Sequence, residues 1–380
     1  MLNVDLTGAE VLGPDGLHRD GLSISEGLVV GSHAGRSVDL TGYMVLPGVV
    51  DLHGDGFERH LAPRRGAMKQ MAEGLIAVEA ELGANGITTA TLAQFVSWEG
   101  GVRSLEFATQ VFETLRDVAP SMVTDLRGQL RFETFMLELY RDLPQMIADW
   151  GLRYVVFNDH LPHDRLAAGQ KPRRLVAQAL KAGRSPEKQL AMMEEMEARS
   201  GEVPAALDTL CAQLAEAGIT MGSHDDCTAQ ERAEWTARGV RVSEFPETLE
   251  AAEAAKAQGA LVVMGSPNVV RGGSHNRNIS AIDLIAMGYC DALASDYHYP
   301  SARRAALMLW QNGMLPIQDA WALVSRGPAL MLGLKDRGVL TAGKRADLTI
   351  LDRDSLRVAA TVVQGRVSYM SGDIAARFFV

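Results

Sequence analysis

Cysteines and long apolar runs are scarce in this chain of 380 residues. The three cysteines, Cys211, Cys227 and Cys290, are too widely spaced for a CxxC site or a disulfide framework. They fit a reducing cytoplasm. No apolar run approaches the roughly 18 residues of a membrane-spanning helix, and no signal-peptide pattern follows Met1. We therefore expect a cytoplasmic globular protein with no membrane partner.

Basic residues are fewer than acidic residues, which gives a formal net charge of −10. This balance argues against a nucleic-acid partner or an anionic membrane surface. It is compatible with a small anionic substrate, provided that a local basic cluster binds it. The composition does not decide the oligomeric state, so a homo-oligomer stays open.

Two β-rich ends flank a different middle. Short β-like pieces separated by Gly, Asp and Pro occupy residues 1–45, and similar pieces occupy residues 338–380. They predict one small β-sandwich domain built from both termini. Residues 46–337 alternate helical patterns with eight apolar runs, each of which ends on polar residues. The runs are "VVDLHG", "ITTATLA", "LRFETF", "YVVFNDH", "ITMGSHDD", "VRVSEFP", "ALVVMGSPN" and "DALASDYHYP".

Repeated βα units with near-continuous apolar strands indicate a parallel sheet, and eight of them favour a closed (β/α)8 barrel of the α/β class.

One stretch departs from this repeated βα pattern. Residues 163–205 predict a helical insertion whose start is rich in basic residues, and these would suit a lid over one barrel face. An ordinary solvated helix face explains the same charges. The basic residues are Lys171, Arg173, Arg174, Lys181, Arg184 and Lys188.

Histidines and acidic residues collect where the predicted strands end. Four of the nine histidines close strands and have an acidic residue within two positions. A single strand-end His is more often structural, and a single Asp there is commonly a helix cap. The recurrence instead predicts one or two divalent metal ions, with zinc foremost and Mn or Fe as alternatives. The candidate ligands are His53, Asp55, Glu133, His160, His224 and Asp296, with His298 nearby.

The chain resembles the amidohydrolase superfamily. The resemblance lies in "MVLPGVVDLH", "GITTAT", "SHDD", "SDYHYP" and the late "GVLTAGKRADLTILD", and it covers nearly the whole chain. It implies a metal-dependent hydrolase barrel whose last segment returns to the small sheet domain. The first strand differs, because His53-Gly54-Asp55 stands where the superfamily usually has His-x-His. A carboxylate can replace an imidazole on such a metal, so the number of ions stays open.

A narrower resemblance lies in "PNVVRGGSHNRN", "LRFETF" and "VVFNDHLP", which are similar to the phosphonate-metabolism branch of that superfamily. This implies a diphosphatase of the carbon–phosphorus lyase pathway. Its reaction would convert α-D-ribose 1-methylphosphonate 5-triphosphate to the 5-phosphate and diphosphate. Asp296 would then take a proton from the attacking water.

The glycine-rich segment after the strand-like "ALVVMGSPNVV" combines donors with glycines that let backbone N–H groups approach a ligand. Arginine binds phosphate oxygens bidentately, so this segment suits a triphosphate. A glycine-rich surface turn is the plainer alternative. The predicted substrate-binding residues are Asn268, Arg271, Gly272, Gly273, Ser274, His275, Asn276 and His298.

Three functions compete. The first is the metal-dependent diphosphatase, with a small phosphorylated ribose phosphonate as substrate. The second is hydrolysis of a C–N bond of a phosphorylated small molecule by a deaminase or deacetylase. A neutral amide substrate would have no need of the arginine-containing segment around Arg271. The third is a barrel without activity, which the retention of six candidate ligands opposes.

Overall fold

The computed structural model describes residues 1–62, 70–273 and 278–379. The chain forms two compact units. The first unit comprises Met1–Leu92, Val118–Arg127 and Val262–Val380, and the second unit comprises Ala93–Asp117 and Gly128–Leu261. In the described part of the chain no helix has the length and apolar character that crossing a membrane requires. The cytoplasmic location stays a prediction.

The strands, in chain order, are β1 (Val4–Thr7), β2 (Glu10–Gly13), β3 (Gly16–His18), β4 (Leu22–Ser25), β5 (Leu28–Val30), β6 (Arg36–Asp39), β7 (Tyr43–Pro47), β8 (Val49–Gly54), β9 (Ile87–Val96), β10 (Asp125–Glu133), β11 (Tyr154–Asn158), β12 (Thr220–His224), β13 (Val242–Glu244), β14 (Leu261–Gly265), β15 (Ala292–Ala294), β16 (Leu348–Asp352), β17 (Val358–Val363) and β18 (Arg366–Met370).

The helices are α1 (Glu58–Leu61), α2 (Met71–Ala84), α3 (Leu105–Val118), α4 (Leu143–Asp149), α5 (His163–Ala167), α6 (Leu175–Lys181), α7 (Pro186–Ala198), α8 (Val203–Glu216), α9 (Ala229–Ala237), α10 (Leu249–Ala257), α11 (Ser266–Arg271), α12 (Ala281–Ala286), α13 (Pro300–Gln311), α14 (Ile317–Ala322), α15 (Arg326–Met331) and α16 (Asp373–Arg377).

Both ends of the chain form sheets outside the barrel, as the sequence predicts. One sheet has the order β5-β4-β1-β6, and the other has the order β18-β17-β16-β7-β2-β3. The two termini are joined in the second sheet, where β16 pairs antiparallel with β7 and Asp352 lies opposite Tyr43. The boundaries at residues 45 and 338 stay a prediction.

The eight predicted barrel strands are present as β8 to β15. They form one parallel sheet in which each strand lies beside the next in chain order. Within the first unit, Gly54 of β8 forms a parallel bridge with Asp296, two residues beyond β15. The first and last strands therefore meet. The (β/α)8 barrel that the sequence predicts is confirmed.

The segment 163–205 is helical, as the sequence predicts, and consists mainly of α5, α6 and α7. Helix α7 begins in the expected way, because the Ser185 side chain accepts a hydrogen bond from the N–H of Lys188. Arg184, one of the predicted lid cations, donates to the main-chain carbonyl of Trp98 at 2.7 Å and to Gln189 Oε1 at 3.1 Å. This arginine therefore attaches the insertion to the loop after β9.

A buried ion pair stabilises the second unit. Arg232 of α9 and Asp226 are both completely buried, with Nη1 and Oδ2 3.0 Å apart. The same carboxylate accepts hydrogen bonds from the hydroxyls of Ser223 at 2.7 Å and Ser243 at 2.6 Å. The second aspartate of "SHDD" is thus structural.

We expect Arg232→Met to lower the free energy of unfolding by about 3–5 kcal/mol, because Asp226 would be left as an uncompensated buried charge. Urea denaturation measures this loss. The matched control is Arg199→Met, which removes an exposed pair with Glu202 and should change the stability little. Equal losses in the two variants would contradict the structural role of the buried pair.

Candidate active site

The candidate ligand His53 lies near the carboxyl end of β8 and is completely buried. Two residues earlier, the buried Asp51 accepts hydrogen bonds from the main-chain N–H of Ser295, at 2.9 Å, and from its hydroxyl. Burial raises the pKa of Asp51, and the hydrogen bonds from Ser295 oppose that rise. This carboxylate fastens the strand that carries His53 to the end of β15.

Asp296 lies where the barrel closes. Its N–H donates to the His53 carbonyl at 3.0 Å, and its own carbonyl accepts from the N–H of Asp55 at 3.0 Å. Gly54 permits this approach, because a Cβ there would lie 2.8 Å from Cε1 of the buried Tyr299. The first unit thus brings together the backbones of His53, Asp55 and Asp296, three of the six predicted ligands.

In the second unit, Glu133 and His160 contact each other. Glu133 is completely buried at the end of β10 and accepts a hydrogen bond from the main-chain N–H of His160 at 3.1 Å. Its other oxygen is hydrogen-bonded to His160 Nδ1. Burial lowers the pKa of His160, but the hydrogen bond and charge of Glu133 outweigh burial and leave that pKa raised. Two residues that the sequence predicts from separate strands therefore form one pair.

His224 lies beside an acidic residue of the next strand. His224 and Glu244 are in-register partners on β12 and β13. Glu244 is completely buried, and its Oε1 accepts hydrogen bonds from Gln129 Nε2 at 2.8 Å and from the Tyr154 hydroxyl at 2.5 Å. Burial raises the pKa of Tyr154 well above its ordinary value, so its phenol stays a donor. These two donors orient the carboxylate.

Three strand ends share a strained backbone. Asp225, Phe245 and Asp296 have φ angles of 62°, 54° and 56°. Such left-handed conformations cost about 1–3 kcal/mol each for residues with side chains, and they cluster at functional sites. Asp225 directly follows His224, and Phe245 directly follows Glu244. The strain makes each of these three strand ends a candidate functional position.

The segment before Arg271 corrects the sequence prediction. The sequence predicts strand character up to Val270, but β14 ends at Gly265 and α11 follows at once. Pro267 explains the helix, because proline suits the first turn, where N–H groups have no helical partner. Gly272 ends α11 with a φ of 76°, a left-handed conformation that glycine adopts at little cost.

The glycine amides of this segment are engaged in the helix end, although the sequence predicts them as ligand contacts. The N–H groups of Gly272 and Gly273 donate to the carbonyls of Val269 and Asn268 at 3.0 and 3.1 Å. The Asn268 side chain accepts a hydrogen bond from the N–H of Ala281 at 3.1 Å. Three further predicted contacts lie outside the described residues, namely Ser274, His275 and Asn276.

Arg271 reaches towards the residue beside Asp296. Its exposed guanidinium donates a hydrogen bond to the Tyr297 hydroxyl, and the guanidinium carbon lies 5.9 Å from the Tyr297 ring centroid. His298 Nδ1 lies 2.7 Å from the Ser301 hydroxyl near the start of α13. The substrate-binding roles of Arg271 and His298 stay predictions.

Two polar residues in this region are absent from the sequence-predicted candidates. Glu244 closes "VRVSEFP" as Glu133 closes "LRFETF", so the same strand-end signal could have identified it. Arg131 is buried, and its Nη2 lies 2.9 Å from His224 Nε2. Its signal is a basic residue on the polar face of β10, where polar and non-polar residues alternate.

Known proteins resemble this chain in sequence. A sequence profile of the amidohydrolase family matches residues 156–369. The chain is 31% identical over 331 residues to the α-D-ribose 1-methylphosphonate 5-triphosphate diphosphatase of Escherichia coli strain K12. The aligned region covers 84% of this chain and 85% of that protein.

Solved structures share the fold at low sequence identity. A putative prolidase from Bifidobacterium longum matches with a TM-score of 0.63 and 15% identity, covering 99% of this chain and 98% of that one. The N-acetylglucosamine-6-phosphate deacetylase of Pasteurella multocida matches with a TM-score of 0.62 and 11% identity, covering 96% and 99%. Identities this low support the fold alone.

His163 connects the insertion to the loop after β11. Its Nε2 lies 2.9 Å from Asp159 Oδ2, and its Nδ1 lies 2.6 Å from Glu197 Oε2 of α7. The hydrogen bond with Asp159 raises the pKa of His163 to about 9, although partial burial opposes this and Glu197 adds to it. The protonated ring therefore bridges two carboxylates on different segments.

We expect the stability that His163 contributes to depend on pH. The folded protein binds the proton more tightly than the unfolded chain, so the contribution is complete below the ordinary pKa of 6.5 and is lost as pH rises through about 9. His163→Gln should therefore lower the unfolding temperature at pH 6 and match wild type above pH 9. Thermal unfolding from pH 5 to 10 checks this, and a constant gap at every pH would contradict it.

Proposed function

Because the chain belongs to the amidohydrolase family, we propose that this hydrolase cleaves α-D-ribose 1-methylphosphonate 5-triphosphate to the 5-phosphate and diphosphate. The observation that carries the proposal is the 31% identity to an enzyme of that name, sustained over 84% of the chain. The phosphonate-branch motifs around Arg271 and Glu133 support it. The substrate is a small phosphorylated molecule.

Members of this family typically bind a divalent metal, and the donor chemistry of this chain fits one. We assign the ion to His224 and Glu244, an imidazole and a carboxylate on neighbouring strands of the second unit, with zinc as the first expectation. The buried Glu244 carboxylate, held by two hydrogen-bond donors, suits a rigid ligand set. Glu133 and His160, the contacting pair of the second unit, would hold a second ion, and His53 and Asp55 of the first unit stay predicted ligands.

A divalent ion, when bound, would supply Lewis-acid polarisation of a phosphoryl oxygen. Asp296 is the proposed general base, which would accept a proton from the attacking water. Its main chain is hydrogen-bonded to His53 and Asp55, which restricts where its carboxylate can lie. Arg271 would hold the triphosphate, because its guanidinium is exposed and is fastened to Tyr297, the residue after Asp296.

We expect Asp296→Asn to lower kcat by about 10²–10⁴-fold while KM changes much less, because loss of a general base affects the chemical step. Asparagine tolerates the left-handed backbone of this position, so the fold should be retained. Steady-state kinetics and the unfolding temperature check both parts. A variant with nearly wild-type kcat would show that another group accepts the proton.

We expect Arg271→Ala to lower kcat/KM for the triphosphate by about ten- to a hundred-fold, because charge-assisted hydrogen bonds are worth about 1.5–3 kcal/mol. Arg271→Lys should recover part of the loss, since lysine keeps the charge but lacks the paired N–H donors of the planar guanidinium. The control is Arg304→Ala, which removes an exposed arginine of α13.

The same assay separates the two enzyme classes. Wild type and the variants are compared on a ribose triphosphate and on a neutral N-acyl amide. If wild type hydrolyses the amide and leaves the triphosphate intact, C–N bond hydrolysis replaces the proposed reaction.

A further inference from the structure

Tyr297 lies on a fixed turn that follows β15. The residue before it, Asp296, donates its N–H to the His53 carbonyl at 3.0 Å. The residue after it, His298, donates its N–H to the Ser295 carbonyl at 3.1 Å. The main chain is therefore held on both sides of Tyr297, while the residue itself is 47% exposed. An accessible phenol thus follows the proposed general base directly in the chain.

Arg271 reaches this phenol from a second fixed element of the first unit. It is the last residue of α11, where the N–H of Gly272 donates to the Val269 carbonyl at 3.0 Å and closes the helix end. The Arg271 guanidinium donates a hydrogen bond to the Tyr297 hydroxyl, and its carbon lies 5.9 Å from the centroid of that ring. Two side chains with fixed main chains therefore meet beyond the carboxyl end of β15.

The direction of this hydrogen bond determines what the phenol can still do. A guanidinium has only donors, so the Tyr297 oxygen accepts, and the hydroxyl hydrogen is not used in the contact. In the part of the chain that the structure describes, the Tyr297 side chain makes no second hydrogen bond. Donation from a cation also polarises the O–H group and makes it a better donor. The phenol can therefore donate to a bound ligand.

The charge of Arg271 favours an anion as that ligand. Arg353 provides a comparison, because its carbon lies 5.8 Å from the Trp310 ring centroid and its Nε pairs with Glu10 at 2.7 Å. Among the described residues no carboxylate forms such a pair with Arg271, whose hydrogen bond there goes to Tyr297. A phosphoryl group has several acceptor oxygens and can accept from the guanidinium and the phenol together.

We propose that Tyr297 is a substrate-binding residue, whose hydroxyl donates a hydrogen bond to a phosphoryl oxygen of the triphosphate that Arg271 holds. This inference rests on the proposed function and adds to it a contact that the sequence does not predict. It makes the exposed end of α11 and the turn after β15 one binding surface for the anion. A neutral amide would use neither the cation nor the strengthened donor.

The test is steady-state hydrolysis of α-D-ribose 1-methylphosphonate 5-triphosphate by the protein as purified, with its metal content measured. We expect Tyr297→Phe to lower kcat/KM by about ten- to a hundred-fold, mainly through a higher KM, because the ring stays beside Arg271 and the donor is lost. Tyr297→Gln, which keeps a side-chain donor, should lose less. The matched control is Tyr289→Phe, which removes a phenol that precedes β15 and should leave kcat/KM unchanged.

A second pair of variants separates binding from positioning. If the phenol itself binds the substrate, Tyr297→Phe should lower kcat/KM further in an Arg271→Ala background, by at least about three-fold. If Tyr297 only positions Arg271, the phenylalanine has no further effect in that background, and this inference fails.

The remaining outcomes are also separable. If wild type hydrolyses the triphosphate and Tyr297→Phe does so equally well, this inference alone fails. A fall in metal content that accounts for the lower kcat/KM would overturn it too. If wild type leaves the triphosphate intact, the proposed function fails and this inference fails with it. Unfolding temperatures identify a misfolded Tyr297→Phe, in which case the comparison of Tyr297→Gln with Tyr297→Leu decides.

Discussion

The parallel bridge between Gly54 and Asp296 is the contact on which the candidate site of the first unit depends. It joins the first barrel strand to the end of the last and sets the backbones of His53 and Asp296 side by side. Asp51 strengthens the junction by binding Ser295 from within the core. Gly54 leaves no room for a side chain, because a Cβ there would lie 2.8 Å from Cε1 of Tyr299.

The functional end of the barrel is locally unfavourable for the fold. Asp225, Phe245 and Asp296 hold left-handed backbones, and the buried Asp51 and Arg131 are costly groups to remove from water. In the second unit, Arg232 and Asp226 offset the cost of their burial by forming an ion pair. The strained residues that directly follow β12 and β13 are consistent with selection for function at a cost in stability.

Much of this architecture could be predicted from the sequence, because eight near-continuous apolar runs leave few alternatives to a parallel barrel. The occurrence of polar residues at strand ends also pointed to His53, Glu133 and His224, whose roles as ligands stay predictions. It missed Glu244, which closes a strand of only three residues, and Arg131, which lies within β10 and not at its end. Helix α11 was mispredicted because Val269 and Val270 suggest a strand, whereas Pro267 and Gly272 set the limits of a helical turn.

The central claim is that this hydrolase breaks a phosphoanhydride bond, and phosphorus NMR of the reaction products tests it most directly. Wild-type protein is incubated with α-D-ribose 1-methylphosphonate 5-triphosphate. The account predicts loss of the triphosphate signals, equal amounts of a 5-phosphate ester and diphosphate, and an unchanged phosphonate signal. Removal of the metal with a chelator should stop the reaction. An intact triphosphate after incubation with metal-containing protein would contradict the account.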